Sequence, residues 1–210
     1  MSQTLLLPPH RFEPGTDAAR PPILLLHGTG GDENDLLPLG RLVAPGATLV
    51  SPRGTVLENG MPRFFRRLAE GVFDEDDLRR RTDDLAAFVR DMQHRHGLAA
   101  PVALGFSNGA NIAASLLLRH PALLRGAVLL RAMVPFRVAP PAQLDGTPVL
   151  LLSGAADPIV PAAVSARLAA MLTDAGAAVT HRTLPTGHGL SQTDVNLARD
   201  WIAALPGESA

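Results

Sequence analysis

The sequence predicts an α/β fold: a mostly parallel sheet of about seven strands with helices on both faces and no large lid domain. Apolar runs of strand length alternate with helix-like segments along the chain, the pattern left by successive βαβ units. The runs are nearly continuous in apolar residues rather than alternating, which marks strands buried on both faces. A Gly-x-Ser-x-Gly pentamer, Gly105 to Gly109, stands between one such run and a helical stretch, the context of a sharp strand-to-helix turn.

Residues 4–7, with a partner near Arg11, are expected to add an antiparallel edge. The first buried strand is read at 23–27, and Asp32 with Asp35 resembles an N-cap pair for a helix over 33–43. A strand at 48–51 precedes residues 52–77, where periodicity is weakest and Phe64, Phe65, Phe73 and several arginines cluster. A long irregular excursion after a strand is a candidate site loop. The helix over 75–96 carries the stripe Leu85, Phe88, Val89 and Met92, assigned to the core, and stops at Gly97. The strand at 102–106 feeds the pentamer and a helix over 108–120. Strands at 127–130, 149–152 and 179–184 follow, with a helix over 161–175 stopped by Gly176. The last helix, 192–205, opens on Ser191-Gln192-Thr193-Asp194, which resembles a capping box.

The chain has 210 residues, consistent with one domain spanning 1–210. A net charge of −1 provides no basic field for nucleic acid, so none is expected as a partner. All 19 basic residues are arginine, which rules out a lysine base or Schiff base, and the absence of cysteine rules out a thiolate nucleophile or thiolate metal site. The first residues lack a basic stretch and a long apolar core, and no run reaches membrane-spanning length. A soluble, cytoplasmic protein with no membrane partner is the expectation.

A serine must therefore do any nucleophilic work, and Ser107 is placed for it. The glycines on either side are required because a Cβ at either position would collide with the neighbouring strand or helix. The Asn108 N–H falls at the start of the following helix, where developing negative charge is favoured. Serine needs a base, and the base needs an acid to fix its tautomer. Asp157 follows the strand at 149–152 and His188 follows the strand at 179–184, so both sit at carboxyl ends of strands, the edge of the sheet that carries Ser107. Asp157 before Pro158 also reads as a helix cap, and His188 between two glycines as a turn. Occurring together, in the order Ser107, Asp157, His188, they read as a catalytic set. Asp145 and Asp174 follow no strand, and His94, His96, His120 and His181 lack the loop position a base needs. The loop Gly28-Thr29-Gly30-Gly31 lets backbone approach a ligand, and the Thr29 N–H is the natural second oxyanion donor beside Asn108. Glu33 stands where a dinucleotide fingerprint needs its third glycine, so that reading fails. His27 is read as a buried histidine that orients the loop.

These motifs are similar to those of the phospholipase/carboxylesterase type of α/β-hydrolase, most closely a bacterial carboxylesterase branch associated with hydroquinone metabolism. The resemblance is carried by His27-Gly28-Thr29-Gly30-Gly31-Asp32, Phe64-Phe65-Arg66-Arg67, Gly71-Val72-Phe73-Asp74, Gly105-Phe106-Ser107-Asn108-Gly109, Ala156-Asp157-Pro158 and Gly187-His188. It implies a compact, lidless serine esterase with no cofactor and no metal, with Ser107, Asp157 and His188 as the triad and Thr29 and Asn108 as oxyanion donors. Relatives usually carry Gln or another residue after the serine. Asn108 is expected to act in the oxyanion hole through its backbone, so the departure bears on substrate class rather than mechanism. The expected activity is hydrolysis of small carboxylic esters. Acyl-thioesterase or lysophospholipase-like activity, and a non-catalytic ligand-binding protein on the same scaffold, are the alternatives. The related group suggests a homodimer. Phe64, Phe65, Phe73, Met133, Val134 and Phe136 are candidate walls of an apolar substrate pocket. Arg131, at a strand end, either attracts an acidic substrate group or pairs with a local carboxylate; pairing is the preferred reading.

Overall fold

The computed structural model describes residues 7–205. The chain begins with β1 (His10–Glu13), β2 (Ile23–Leu26), α1 (Leu37–Val43) and β3 (Leu49–Pro52). Two small hairpins follow, β4 (Val56–Glu58) with β5 (Met61–Arg63), and β6 (Arg67–Ala69) with β7 (Val72–Phe73). Then come α2 (Glu75–His96), β8 (Val102–Phe106), α3 (Asn108–Arg119), β9 (Gly126–Leu130) and β10 (Pro148–Gly154). The remainder is α4 (Ala162–Asp174), β11 (Ala178–Leu184) and α5 (Gln192–Ala203).

Seven strands form one sheet in the order β1-β3-β2-β8-β9-β10-β11, parallel except for β1, which pairs antiparallel with β3. This is the α/β-hydrolase arrangement read from the sequence. The antiparallel edge near Arg11 is β1. The strand expected at residues 4–7 lies, except for Leu7, outside the described residues.

In the central strands side-chain alternation divides the residues between two cores, and both are apolar. In β2, Ile23 and Leu25 pack with Leu37 and Val43 of α1 and Ala198 and Ile202 of α5. Leu24 and Leu26 face the other way, with Phe88 of α2, Ile112 of α3 and Leu168 of α4. Strands enclosed in this way have no polar side to show, hence their unbroken apolar runs. Each fully buried leucine contributes roughly 2 kcal/mol of transfer free energy.

The helix expected at 33–43 starts later, at Leu37. Asp32 Oδ1 accepts the Asn34 N–H at 2.7 Å, closing a local turn in place of an N-cap, and Glu33 is drawn to Arg53. Pro38 then sits in the first turn, where its missing N–H costs nothing. At the other termini the expected signals operate: Gly97 caps α2 in the left-handed region at φ 61°, and Ser191 and Asp194 form a reciprocal capping box on α5.

From β2 the chain crosses to β3 on one side, and β8 lies on the other. Loops leaving adjacent strands in opposite directions open a crevice at the carboxyl edge of the sheet. The loop after β2 and the turn after β8 meet there.

Candidate active site

The turn from β8 to α3 is made on a single residue. Ser107 has φ 52° and ψ −114°, a region sparsely occupied by residues other than glycine and costing about 1–3 kcal/mol. Its surroundings hold it there: the Ser107 N–H donates to Leu130 O at 2.9 Å, and its carbonyl accepts the Asn111 N–H at 3.0 Å. A Cβ on Gly105 would lie 2.5 Å from Gly109 O, and one on Gly109 would lie 1.9 Å from Leu26 O. The start of α3 is thus pressed against both β8 and the end of β2.

Strand ends β10 and β11 bring the other two groups to Ser107. His188 Nε2 lies 3.0 Å from Ser107 Oγ, and His188 Nδ1 lies 2.8 Å from Asp157 Oδ2. Asp157 divides its oxygens between the two roles read for it. Oδ2 meets the histidine, while Oδ1 accepts the N–H groups of Ile159 at 2.8 Å and Val160 at 3.0 Å in the turn before α4. Burial raises the carboxyl pKa, but the Val160 and Ile159 N–H groups and the histidine outweigh it and hold the group below its ordinary value. Asp157 is thereby an anion facing an Nδ1–H, which leaves the Nε2 lone pair directed at the hydroxyl.

Arg131 is the residue that organises the histidine loop. It has no exposed surface, so the alternative of binding a substrate group is set aside in favour of the pairing. Its Nη1 and Nη2 donate to Asp194 Oδ1 at 2.7 Å and Oδ2 at 2.8 Å. Nε donates to Gly187 O at 3.0 Å and Nη2 to Gly189 O at 3.0 Å, so the guanidinium grips the loop on both sides of His188. Asp194 is the same residue that closes the capping box of α5. Burial raises its pKa, but the bonds from Arg131 and Ser191 prevail and keep it ionised.

The loop after β2 is fixed by the β4–β5 hairpin, whose Asn59-Gly60 turn has both residues at positive φ. Gly30 N–H donates to Pro62 O at 2.9 Å, and the Arg63 guanidinium donates to Thr29 Oγ1 at 2.8 Å. Among the described residues neither the Thr29 nor the Asn108 backbone N–H donates a hydrogen bond. The Asn108 side chain has a separate, structural role. Its buried side-chain Oδ1 accepts the Phe64 N–H at 2.8 Å, and the neighbouring Asn111 Oδ1 accepts the Met133 N–H at 2.7 Å. These two asparagines tie the flanking loops to α3. Arg63, Asn111 and the Asn108 side chain escaped the sequence reading, although Asn59-Gly60 between short β-prone runs signals the hairpin that delivers Arg63.

Of the expected pocket walls, Phe73, Met133, Val134 and Phe136 line one cavity, and Phe64 lines another between β3 and α2. Phe65 is fully buried, edge-to-face with Phe73 at 4.9 Å, and belongs to the core. Its assignment to a pocket is corrected, as is that of Arg131. The remaining histidines stay clear of Ser107: His120 meets Asp83 Oδ1 at 2.8 Å, His181 meets Ser153 Oγ at 2.9 Å, and His94 and His96 are exposed. Among the described residues no three His, Cys, Asp or Glu side chains are grouped to hold a metal ion, and no helix is long and apolar enough to cross a membrane.

His27 is buried directly beneath the loop. Its Nε2 accepts the Gly54 N–H at 2.9 Å and its Nδ1 lies 2.6 Å from Gly28 O, a pattern that requires the neutral ring. Burial pushes its pKa below the ordinary 6.5, against the Gly28 carbonyl and nearby carboxylates, and burial lowers His181 as well. A depressed histidine pKa means that the unfolded chain binds more protons than the folded one. The stability it contributes is complete above about pH 6.5 and is lost as pH falls through the folded value. Urea unfolding is therefore expected to give a constant stability from pH 7 to 8 and a decline between roughly pH 6.5 and 5, above the range where depressed carboxylates take effect. A level profile down to pH 5 would contradict the buried neutral imidazole.

A model of the family described as phospholipase/carboxylesterase matches residues 10–205. The protein MhqD of Bacillus subtilis (strain 168), named as a hydrolase, is 46% identical over 194 residues, which are 91% of this chain and 96% of that protein. The crystal structure of the Bacillus cereus carboxylesterase superposes with a TM-score of 0.90 at 48% identity, covering 92% of each chain. A carboxylesterase from Mesorhizobium loti has a TM-score of 0.88 at 37% identity, over 93% of this chain and 94% of that one.

Proposed function

The chain belongs to the phospholipase/carboxylesterase family of α/β-hydrolases, and from that premise we propose that it hydrolyses small carboxylic esters by two-step acyl transfer through Ser107. His188 Nε2 takes the proton from Ser107 Oγ as the oxygen attacks the ester carbonyl. Asp157 holds the Nδ1–H and stabilises the imidazolium that forms. The carbonyl oxygen becomes an anion received by the Thr29 and Asn108 N–H groups, reinforced by the positive end of the α3 dipole. Collapse of the intermediate expels the alcohol with the proton carried by His188. Water then attacks the acyl-enzyme with the same histidine as base, releasing the carboxylic acid and restoring the serine.

The observation that carries this reading is the unbroken relay Ser107 Oγ, His188, Asp157, at 3.0 and 2.8 Å, on a strained turn beside two N–H groups without partners. Initial rates on p-nitrophenyl esters of increasing acyl length test it, with a matched thioester run alongside. Saturable turnover with a short-chain optimum is expected. Preference for the thioester would move the assignment to a thioesterase, and folded protein inert on every ester would favour a ligand-binding role.

A further inference from the structure

We propose that the cavity walled by the β6–β7 hairpin, the loop after β9 and the start of α4 is a subsite for an ionised carboxylate on the substrate, so that half-esters of short dicarboxylic acids are preferred over neutral esters. The proposal rests on the reading of Ser107 as nucleophile. The cavity encloses about 400 Å³, within the range of small-molecule sites.

Its place in the fold connects it to the nucleophile. Met133, in its wall, is held through its N–H by Asn111 Oδ1, and the Asn111 N–H is bonded to the Ser107 carbonyl. The α4 wall follows directly on the turn that contains Asp157. Two of the cavity's walls thus follow the carboxyl ends of β9 and β10, the edge of the sheet that carries Ser107.

The lining is amphipathic. Phe73, Met133, Phe136 and Val164 provide the apolar surface, suited to a few methylene groups, while Arg137 and Arg167 stand at the rim. The one carboxylate among the lining residues, Glu75, is already engaged: Oε2 accepts from Arg79 at 3.1 Å, and Oε1 accepts the Arg137 N–H at 2.9 Å. The Arg137 guanidinium lies 3.9 Å from that oxygen and its side chain is 81% exposed. Arg167 donates to the Arg137 carbonyl at 3.0 Å, which ties the Arg167 guanidinium to the loop after β9. Two arginines, Arg137 and Arg167, therefore line the cavity with one carboxylate, Glu75, which Arg79 also engages, so positive charge is in excess over an apolar floor. A guanidinium receives a carboxylate through paired N–H donors, whereas a neutral ester leaves that charge unmatched.

The test compares the mono-p-nitrophenyl ester of glutaric acid with that of its neutral mono-amide, and mono-esters carrying the carboxylate on the alcohol side with their amides. One of the two pairs is expected to show a roughly tenfold higher kcat/KM for the anionic member, with the ratio shrinking at high salt. In the Arg137→Ala/Arg167→Ala double variant that ratio is expected to fall to near one. Glutarate binding to Ser107→Ala protein, followed by calorimetry, is expected and should weaken with the same two substitutions. Serine-dependent turnover with no anionic preference and no glutarate binding would overturn the subsite and leave the esterase reading intact. Arginine-dependent glutarate binding without turnover of any ester would retain the subsite and remove the esterase reading.

Discussion

Replacing Ser107 by alanine is expected to lower kcat/KM for esters on the order of 10⁴- to 10⁶-fold while leaving the protein folded. The two halves of that expectation have separate causes. Activity falls because nothing else near His188 Nε2 can attack a carbonyl, and the residual rate is what the oxyanion donors and binding supply to water. The fold survives because alanine keeps the same Cβ at φ 52° and the same backbone bonds to Leu130 and Asn111, losing only the 3.0 Å contact with His188. A hydrogen bond of that kind is worth about 1 kcal/mol. His188→Ala should fall by a similar factor, and the double variant should be little worse than either, since groups acting as one unit do not contribute additively. Circular dichroism and thermal melts check folding, and a folded Ser107→Ala protein with near-normal turnover would sink the assignment.

Arg131→Met is expected to have the largest effect on stability, about 3–5 kcal/mol, equivalent to a fall of very roughly 6–20 °C in Tm. Methionine fills much of the space but supplies no donor. It leaves the Asp194 carboxylate buried without its counter-ion and strips the Gly187 and Gly189 carbonyls of their partners. In the fraction that folds, kcat should fall with KM little changed, because the loop that aims His188 has lost its clamp. Adding Asp194→Asn removes the stranded charge, so Tm should partly recover while kcat does not. Recovery of both together would mean that Arg131 contributes to stability alone.

The sheet was readable because strands enclosed on both faces leave nearly unbroken apolar runs, and because Ser107 and Asp157 each follow such a run directly, while His188 follows the half-exposed edge strand β11. Segment 52–77 resisted for the opposite reason. Strands of two or three half-exposed residues carry no usable period, and only the Asn59-Gly60 turn announces one of them. Arg131 and Asp194 are separated by 63 positions and lie at a strand end and a helix start. Their pairing could be preferred from the general cost of burying a lone charge, but the partner could not be named. The short α1 was misplaced because Asp32 and Asp35 resemble a cap whose turn in fact closes on Asn34.

The two hairpins between β3 and α2 are not equivalent as targets for protein engineering. β6–β7 touches the proposed carboxylate cavity and is joined to the first hairpin through Arg67, which donates to Glu58 at 2.8 Å, so with Arg67 kept its other positions can be randomised to retune substrate choice. β4–β5 is different, since Pro62 and Arg63 are bonded to Gly30 and Thr29. A library built there would scramble selectivity and turnover at once, and its winners would be hard to interpret. Directed evolution of this enzyme should begin at the second hairpin and leave the first as template.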